Sequence, residues 1–189
     1  MKKSVGAKPY IYPAPVMVVG TYDAQGKPDI APFSWGGICC SDPPCVAVSL
    51  RKATYTYHNI IQKKAFTVSI PSQDLIKQTD FTGMVSGKDV DKFTKTKLTP
   101  VKSAHVDAPY PSEFPVVIEC LLIHTIELGI HTQFIGKVVN TLIDDSLLEK
   151  SGLVDIKKMK PFVFMPDSYA YYSVGDFIGQ AFSVGEKLM

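Results

Sequence analysis

The chain has 189 residues, 46% hydrophobic and 20% charged, and its 20 basic and 18 acidic residues leave a formal charge of +2. That balance is one of a globular protein long enough to bury a core. The lysines are scattered rather than clustered, which excludes neither surface chemistry nor catalysis but argues against nucleic acid or a membrane surface as partner.

The opening stretch, MKKSVGAKPYIYPAPV, has no apolar core before Pro9, so it does not read as a secretory signal. The most apolar internal run, 116–123, contains Glu119 and is too short for a membrane span. The expectation is a single domain, residues 1–189, in the cytoplasm.

In chain order, VMVVGTY at 16–22 is apolar and β-branched, and DAQG at 23–26 closes it as a hairpin turn. Residues 27–35 return as the partner strand. Gly36-Gly37 and Asp42-Pro43-Pro44 read as breakers. CVAVSL at 45–50 is a continuous apolar run of strand length, which predicts a central strand. Residues 54–64 space Tyr57, Ile60 and Ile61 as on a helix, with lysines at the C-terminal end.

AFTVSI at 65–70 predicts a strand, 73–81 a helix, and 88–93 a further helical turn or two. The stretch 95–112 holds three prolines and little periodicity, which predicts a surface loop with a short strand at most. Two strand-like runs, 114–129 and 131–143, predict an extended hairpin. Short helices are expected at 144–150 and 155–159, and strands at 162–165 and 169–174. The tail, DFIGQAFSVGEKLM, is apolar enough to need a covering surface, on its own barrel or on a second subunit.

Cys39, Cys40 and Cys45 lie within seven positions, and Cys120 stands apart. There is no CxxC and no nearby His to complete a tetrahedral set, so no metal site is expected and the thiols read as buried or partly buried. A redox role for Cys39 or Cys40 stays open. Strands broken by small helices, without regular βαβ spacing, predict a mainly β fold with short helices, an antiparallel barrel closed or partly open. No GxGxxG occurs, which sets aside a Rossmann nucleotide site.

The succession APFSW at 31–35, SLRKATYTYHNI at 49–60, FTVSIPS at 66–72, SGKDVDKF at 86–93, GIHTQFIGKV at 129–138 and YYSVGDFIG at 171–179 resembles the flavin reductase-like, FMN-binding split-barrel proteins. The resemblance covers nearly the whole chain in order. It implies a six-stranded antiparallel Greek-key split β-barrel, usually a homodimer, that holds FMN non-covalently near the subunit interface. FAD is not excluded, because a site for the proximal phosphate serves either.

Arg51 and Lys52, at the end of a buried strand and just before a helix, can meet a phosphate together with the free amides of the helix start. Thr54 and Thr56 add hydroxyls there, though Thr54 also reads as a helix N-cap. Ser49 precedes them. The resemblance adds Lys92 as a second cation, otherwise an ordinary exposed lysine. It also places Trp35, which alone would read as a core anchor, beside the flavin. Backbone amides of Ala31, Pro32, Phe33 and Ser34 are then the candidates for the ring's pyrimidine edge, proline contributing only its carbonyl. Phe164 is a candidate for packing on the ring or simply core. His131 is the candidate catalytic residue, near the flavin and a nicotinamide pocket.

These residues imply redox chemistry that belongs to the flavin. One reading is an electron-transfer flavoprotein that exchanges electrons with a redox protein. The second is an NAD(P)H-dependent flavin reductase, and the third a flavin-free binding or scaffold protein.

Overall fold

The computed structural model describes residues 1–188. The alternation and β-branching of the sequence yield twelve strands and four α-helices: β1 (Ala14–Pro15), β2 (Met17–Tyr22), β3 (Pro28–Phe33), β4 (Gly36–Ser41), β5 (Pro44–Arg51), α1 (Tyr55–Lys63), β6 (Ala65–Ile70), α2 (Ile76–Met84), α3 (Lys92–Thr96), β7 (Pro100–Lys102), β8 (Pro109–Pro111), β9 (Val116–Leu128), β10 (His131–Ile143), α4 (Ile156–Met159), β11 (Phe162–Met165) and β12 (Ala170–Ser173).

The main sheet runs in the order β3-β2-β6-β9-β10-β5-β4, and each pair of neighbours is antiparallel. It has seven strands where six were expected. The extra one is β4, whose Gly36-Gly37 start reads as a breaker in sequence yet sits at a sheet edge, where an irregular strand is tolerated. The sheet curls until its ends approach, and Ser49 N donates to Trp35 O at 2.8 Å beside the split. A separate three-stranded sheet, β1-β11-β12, lies at this end, and β7 and β8 pair with each other.

Inside the barrel, Met17, Val19, Phe33, Val46, Val48, Leu50, Ile60, Phe66, Val68, Cys120 and Phe134 form one apolar core. Burying side chains the size of Phe66 and Phe134, both fully covered, contributes about 1.5–3 kcal/mol each. Val18 and Ile30 face outward into a second cluster with Phe93, Leu98 and Phe114. β2 is therefore covered on both faces, which explains why it reads as a continuous apolar run.

Three local expectations change. Residues 88–89 form a turn, and the helix begins only at Lys92, because Asp91 caps it by accepting from Thr94 N at 3.1 Å. The stretch 95–112 is no surface loop: Leu98, Ser103, Val106 and Ala108 are buried, and Thr67 Oγ1 donates to Pro109 O at 2.6 Å. Cys39 and Cys40 are exposed on the edge strand β4, whereas Cys45 and Cys120 are buried as expected.

Among the described residues no helix is long and apolar enough to cross a membrane.

Candidate functional site

Where the barrel splits, β3, β5 and β10 bring their ends together. The register pairs His131 with Arg51 across β10 and β5. Ser34 and Trp35 link β3 to β4. β11 supplies Phe164 and β12 supplies Tyr171, and the resulting cleft is lined by Pro32, Phe33, Ser34, Trp35, Ser49, Arg51, His131 and Phe164 together with Val16, Leu50 and Tyr171. Eight of the residues expected from sequence thus converge from four strands.

The walls are aromatic. The Trp35 and Phe164 rings lie 6.4 Å apart at 46°, and Phe164 and Tyr171 lie 5.8 Å apart. Trp35 keeps 41% of its surface exposed, too much for a core anchor and enough to offer a face to a flat ligand. Tyr171 is fixed by donating its hydroxyl to Asp80 Oδ1 at 3.0 Å, and burial with that hydrogen bond pushes its pKa up to about 12. It stays neutral and serves as a wall. Arg51 is exposed at the rim, and among the described residues no carboxylate pairs with it.

A second, polar cleft shares Pro32 with the first and is lined by Ala31, Ala53, Thr54, Tyr55, Thr56, Thr82, Gly83, Met84, Val85, Ser86, Gly87 and Lys92. One wall is the N-terminus of α1. Thr54 caps it, accepting from Tyr57 N at 3.3 Å while its hydroxyl donates to Arg51 O at 2.8 Å. The cap reading of Thr54 is therefore realised, and the amides of Tyr55 and Thr56 keep no intrahelical acceptor.

Thr56 and Lys92 are held from below. Thr56 is buried, with Oγ1 3.4 Å from Asp29 Oδ2. Lys92 is not an ordinary exposed lysine: it donates to Ile30 O at 2.7 Å and lies 3.3 Å from Asp29 Oδ1. Lys52 lines neither cleft. Its ammonium pairs with Glu127, whose other carboxylate oxygen accepts from Thr132 Oγ1 at 3.0 Å. That contact raises the lysine's pKa and lowers the glutamate's.

His124 lies on β9 opposite Ile135, and His131 opens β10 opposite Leu128. The residues missed in sequence are Tyr171, Val16 and Leu50 in the aromatic cleft and Ala53, Tyr55 and Thr82–Gly87 in the polar one. Ser86 and Gly87 were within reach, since they open the SGKDVDKF stretch; Thr82 and Gly83 carry no local signal.

The donor set fits a flavin phosphate. Aromatic faces, a guanidinium with no carboxylate partner among the described residues, and free amides at a helix start provide a stacking surface and an anion site in adjoining clefts. A split antiparallel barrel carrying such a pair of clefts is the architecture of a flavin-binding redox protein.

The sequence signature of the flavin reductase like domain matches residues 10–173, and the chain belongs to that family. Its structure superimposes with a TM-score of 0.94 on a flavoredoxin of Desulfovibrio vulgaris (Miyazaki F), 52% identical, over 98% of this chain and 100% of that one. A flavoredoxin from Methanosarcina acetivorans is 28% identical with a TM-score of 0.92, covering 100% of both chains. An uncharacterized protein of Aquifex aeolicus is 27% identical over 172 residues, 88% of this chain and 87% of its own.

Proposed function

We propose that this protein binds FMN non-covalently and passes electrons through it between a redox protein and an acceptor. The observation that carries the reading is the convergence of Trp35, Phe164, Ser49, Arg51 and His131 on one cleft. The similarity to two flavoredoxins over the full chain supports it.

Bound FMN supplies reversible electron and hydride chemistry at its ring. The chain's residues bind and orient. Trp35 and Phe164 would wall the ring, and the backbone of Ala31–Ser34 would be available to its polar edge. Arg51 and the start of α1, with Thr54 and Thr56, form the phosphate side. Ser49 holds β5 to Trp35 through its amide. Lys92 braces β3 from beneath through Ile30 O and Asp29, fixing the backbone at Ala31. His131, half-buried at the mouth, faces whatever approaches the ring.

A second reading, an NAD(P)H-dependent flavin reductase, is favoured by the partly exposed His131 on the lining of the aromatic cleft. An anaerobic absorbance spectrum of the purified protein, recorded before and after NADH and NADPH and with the released cofactor weighed by mass spectrometry, separates the readings. Bound FMN that ignores both nucleotides but is reduced by a reducing protein partner supports electron transfer. Rapid bleaching by a nucleotide supports the reductase. A colourless protein that takes up no FMN overturns both and leaves the flavin-free scaffold. A mass for FAD would correct the cofactor alone.

The functional unit is a homodimer. Leu121, Ile123, Ile126, Leu128 and Ile130 near the end of the β9–β10 hairpin are exposed, as are Phe177, Ile178 and Phe182 of the tail, and a second copy is the simplest cover for so much apolar surface. Mass in solution tests this. All four cysteines lie among the described residues and are free, which suits a cytoplasmic setting.

A further inference from the structure

The hairpin β4–β5 carries three cysteines that the flavin site does not use. Ser41 and Pro44 close a two-residue turn, and the next pair in register is Cys40 opposite Cys45. Facing residues of an antiparallel pair have Cα atoms about 4.5–5.5 Å apart with side chains on the same face of the sheet. That is within the roughly 4.4–6.8 Å a disulfide spans. Both thiols also turn toward the hairpin end: Cys40 Sγ lies 3.4 Å from Asp42 O and Cys45 Sγ 3.3 Å from Pro43 O.

The two members differ in access. Cys40 is exposed on the edge strand, while Cys45 is 4% exposed. Cys39 occupies the irregularity between Ile38 and Cys40, where the register shifts, and has no facing partner of its own. Burial, then the neighbouring Cys45 and Cys40, push its thiol up, which keeps it protonated at neutral pH and a poor nucleophile.

We propose that Cys40 and Cys45 form a reversible thiol–disulfide site that responds to peroxides, Cys40 taking the oxidant and Cys45 resolving it. The Cys40 thiolate attacks one peroxide oxygen, the O–O bond breaks, and with one proton the leaving oxygen departs as water, or as an alcohol from an organic peroxide. The Cys45 thiol then attacks the sulfur of the resulting sulfenic acid, forming the S–S bond and releasing a second water. Two thiols lose two electrons, and the peroxide gains them. The bond ties the edge strand to β5, the strand that carries Ser49 and Arg51 to the cleft.

The test uses the full-length protein as purified. Cys39, Cys40 and Cys45 lie between Lys27 and Arg51 with no basic residue among them, so one tryptic peptide holds all three. After treatment with a small excess of hydrogen peroxide and alkylation of the remaining thiols, the expected peptide carries one alkyl group instead of three and regains all three after dithiothreitol. Cys39→Ser retains the disulfide. Cys40→Ser, at an exposed position that tolerates the change, loses it, and Cys45→Ala does the same. Three alkyl groups after peroxide, irreversible sulfinic acid on one cysteine, a cross-link between two chains, or a disulfide that survives Cys40→Ser each overturns the proposal. None of these readouts depends on whether FMN is bound, so the flavin reading stands or falls separately.

Discussion

Lys92 Nζ lies 3.3 Å from Asp29 Oδ1, with 3% and 2% of their side-chain surfaces exposed. Burial outweighs the attraction on both partners, raising the Asp29 pKa and lowering that of Lys92, although each opposes the other's shift. Such a pair costs more to break than it contributes. Lys92→Met is expected to destabilise the protein by about 3–5 kcal/mol, because it leaves a buried carboxylate without its countercharge. Adding Asp29→Leu should recover much of that loss. Urea unfolding of the single and double variants measures both, and additive losses would refute the coupling.

The same carboxylate makes Gly87 indispensable to the polar cleft. A Cβ there would sit 2.1 Å from Asp29 Oδ1 and 2.4 Å from its carboxyl carbon. Neither the carboxylate nor the loop can yield freely, since Lys27 Nζ holds Gly87 O at 3.0 Å. Gly87→Ala is expected to cost about 1–3 kcal/mol, as overpacking does, and to weaken FMN through Thr56 and Lys92. A thermal melt and a flavin titration, unchanged from wild type, would contradict this.

Trp35 is the single tryptophan of the chain, so tryptophan emission reports from the cleft itself. Titrating flavin-free protein with FMN should quench that emission in step with the change in flavin absorbance. Trp35→Ala should weaken FMN by roughly tenfold, the scale of a lost aromatic contact. Emission that ignores FMN would place the ring elsewhere.

Much of this architecture is legible in the sequence. The hairpin β2–β3 follows from VMVVGTY and its DAQG turn, β5 from an apolar run, and the β9–β10 hairpin from two long strand-like stretches. These are local signals of period and turn chemistry. β4 was hidden because Gly36-Gly37 and Asp42-Pro43 are breakers in isolation, yet one pair enters an edge strand and the other makes its turn. The stretch 95–112 was hidden because its burial comes from distant partners such as Glu119 and Thr67. In the site, APFSW and SLRKATYT carried most of the cleft. Whether Lys52 or Lys92 is free depends on Glu127 and Asp29, and no local pattern shows that.

Glu119 is the clasp of that stretch. Its buried carboxylate accepts from Ser103 Oγ at 2.5 Å and Asn140 Nδ2 at 2.8 Å, and His105 Nδ1 lies 2.6 Å away. Burial alone would raise its pKa, but the contacts from Ser103, Asn140 and His105 outweigh it and hold the carboxyl below the ordinary 4.5. A depressed folded pKa contributes stability above the ordinary value that is lost as pH falls through the folded one. Glu119→Gln should therefore be less stable than wild type at pH 7, by about 1.5–3 kcal/mol for a charged hydrogen bond. The gap should narrow below pH 4.5. A gap independent of pH would show that the charge contributes nothing.

Arg51 and Lys52 are neighbours in sequence but differ in their surroundings. Arg51 stands at the cleft rim without a carboxylate partner among the described residues, and Lys52 is turned to Glu127. A guanidinium that meets a phosphate is worth about 1.5–3 kcal/mol. Arg51→Ala is thus expected to weaken FMN by roughly ten- to a hundredfold, while riboflavin, which lacks the phosphate, binds nearly as before. Lys52→Ala should change FMN affinity by less, because an exposed ion pair such as that with Glu127 contributes little and its ammonium is already engaged. Equal losses for FMN and riboflavin in Arg51→Ala would move the phosphate away from this rim, and a larger loss in Lys52→Ala would mean that the lysine leaves Glu127 for the ligand.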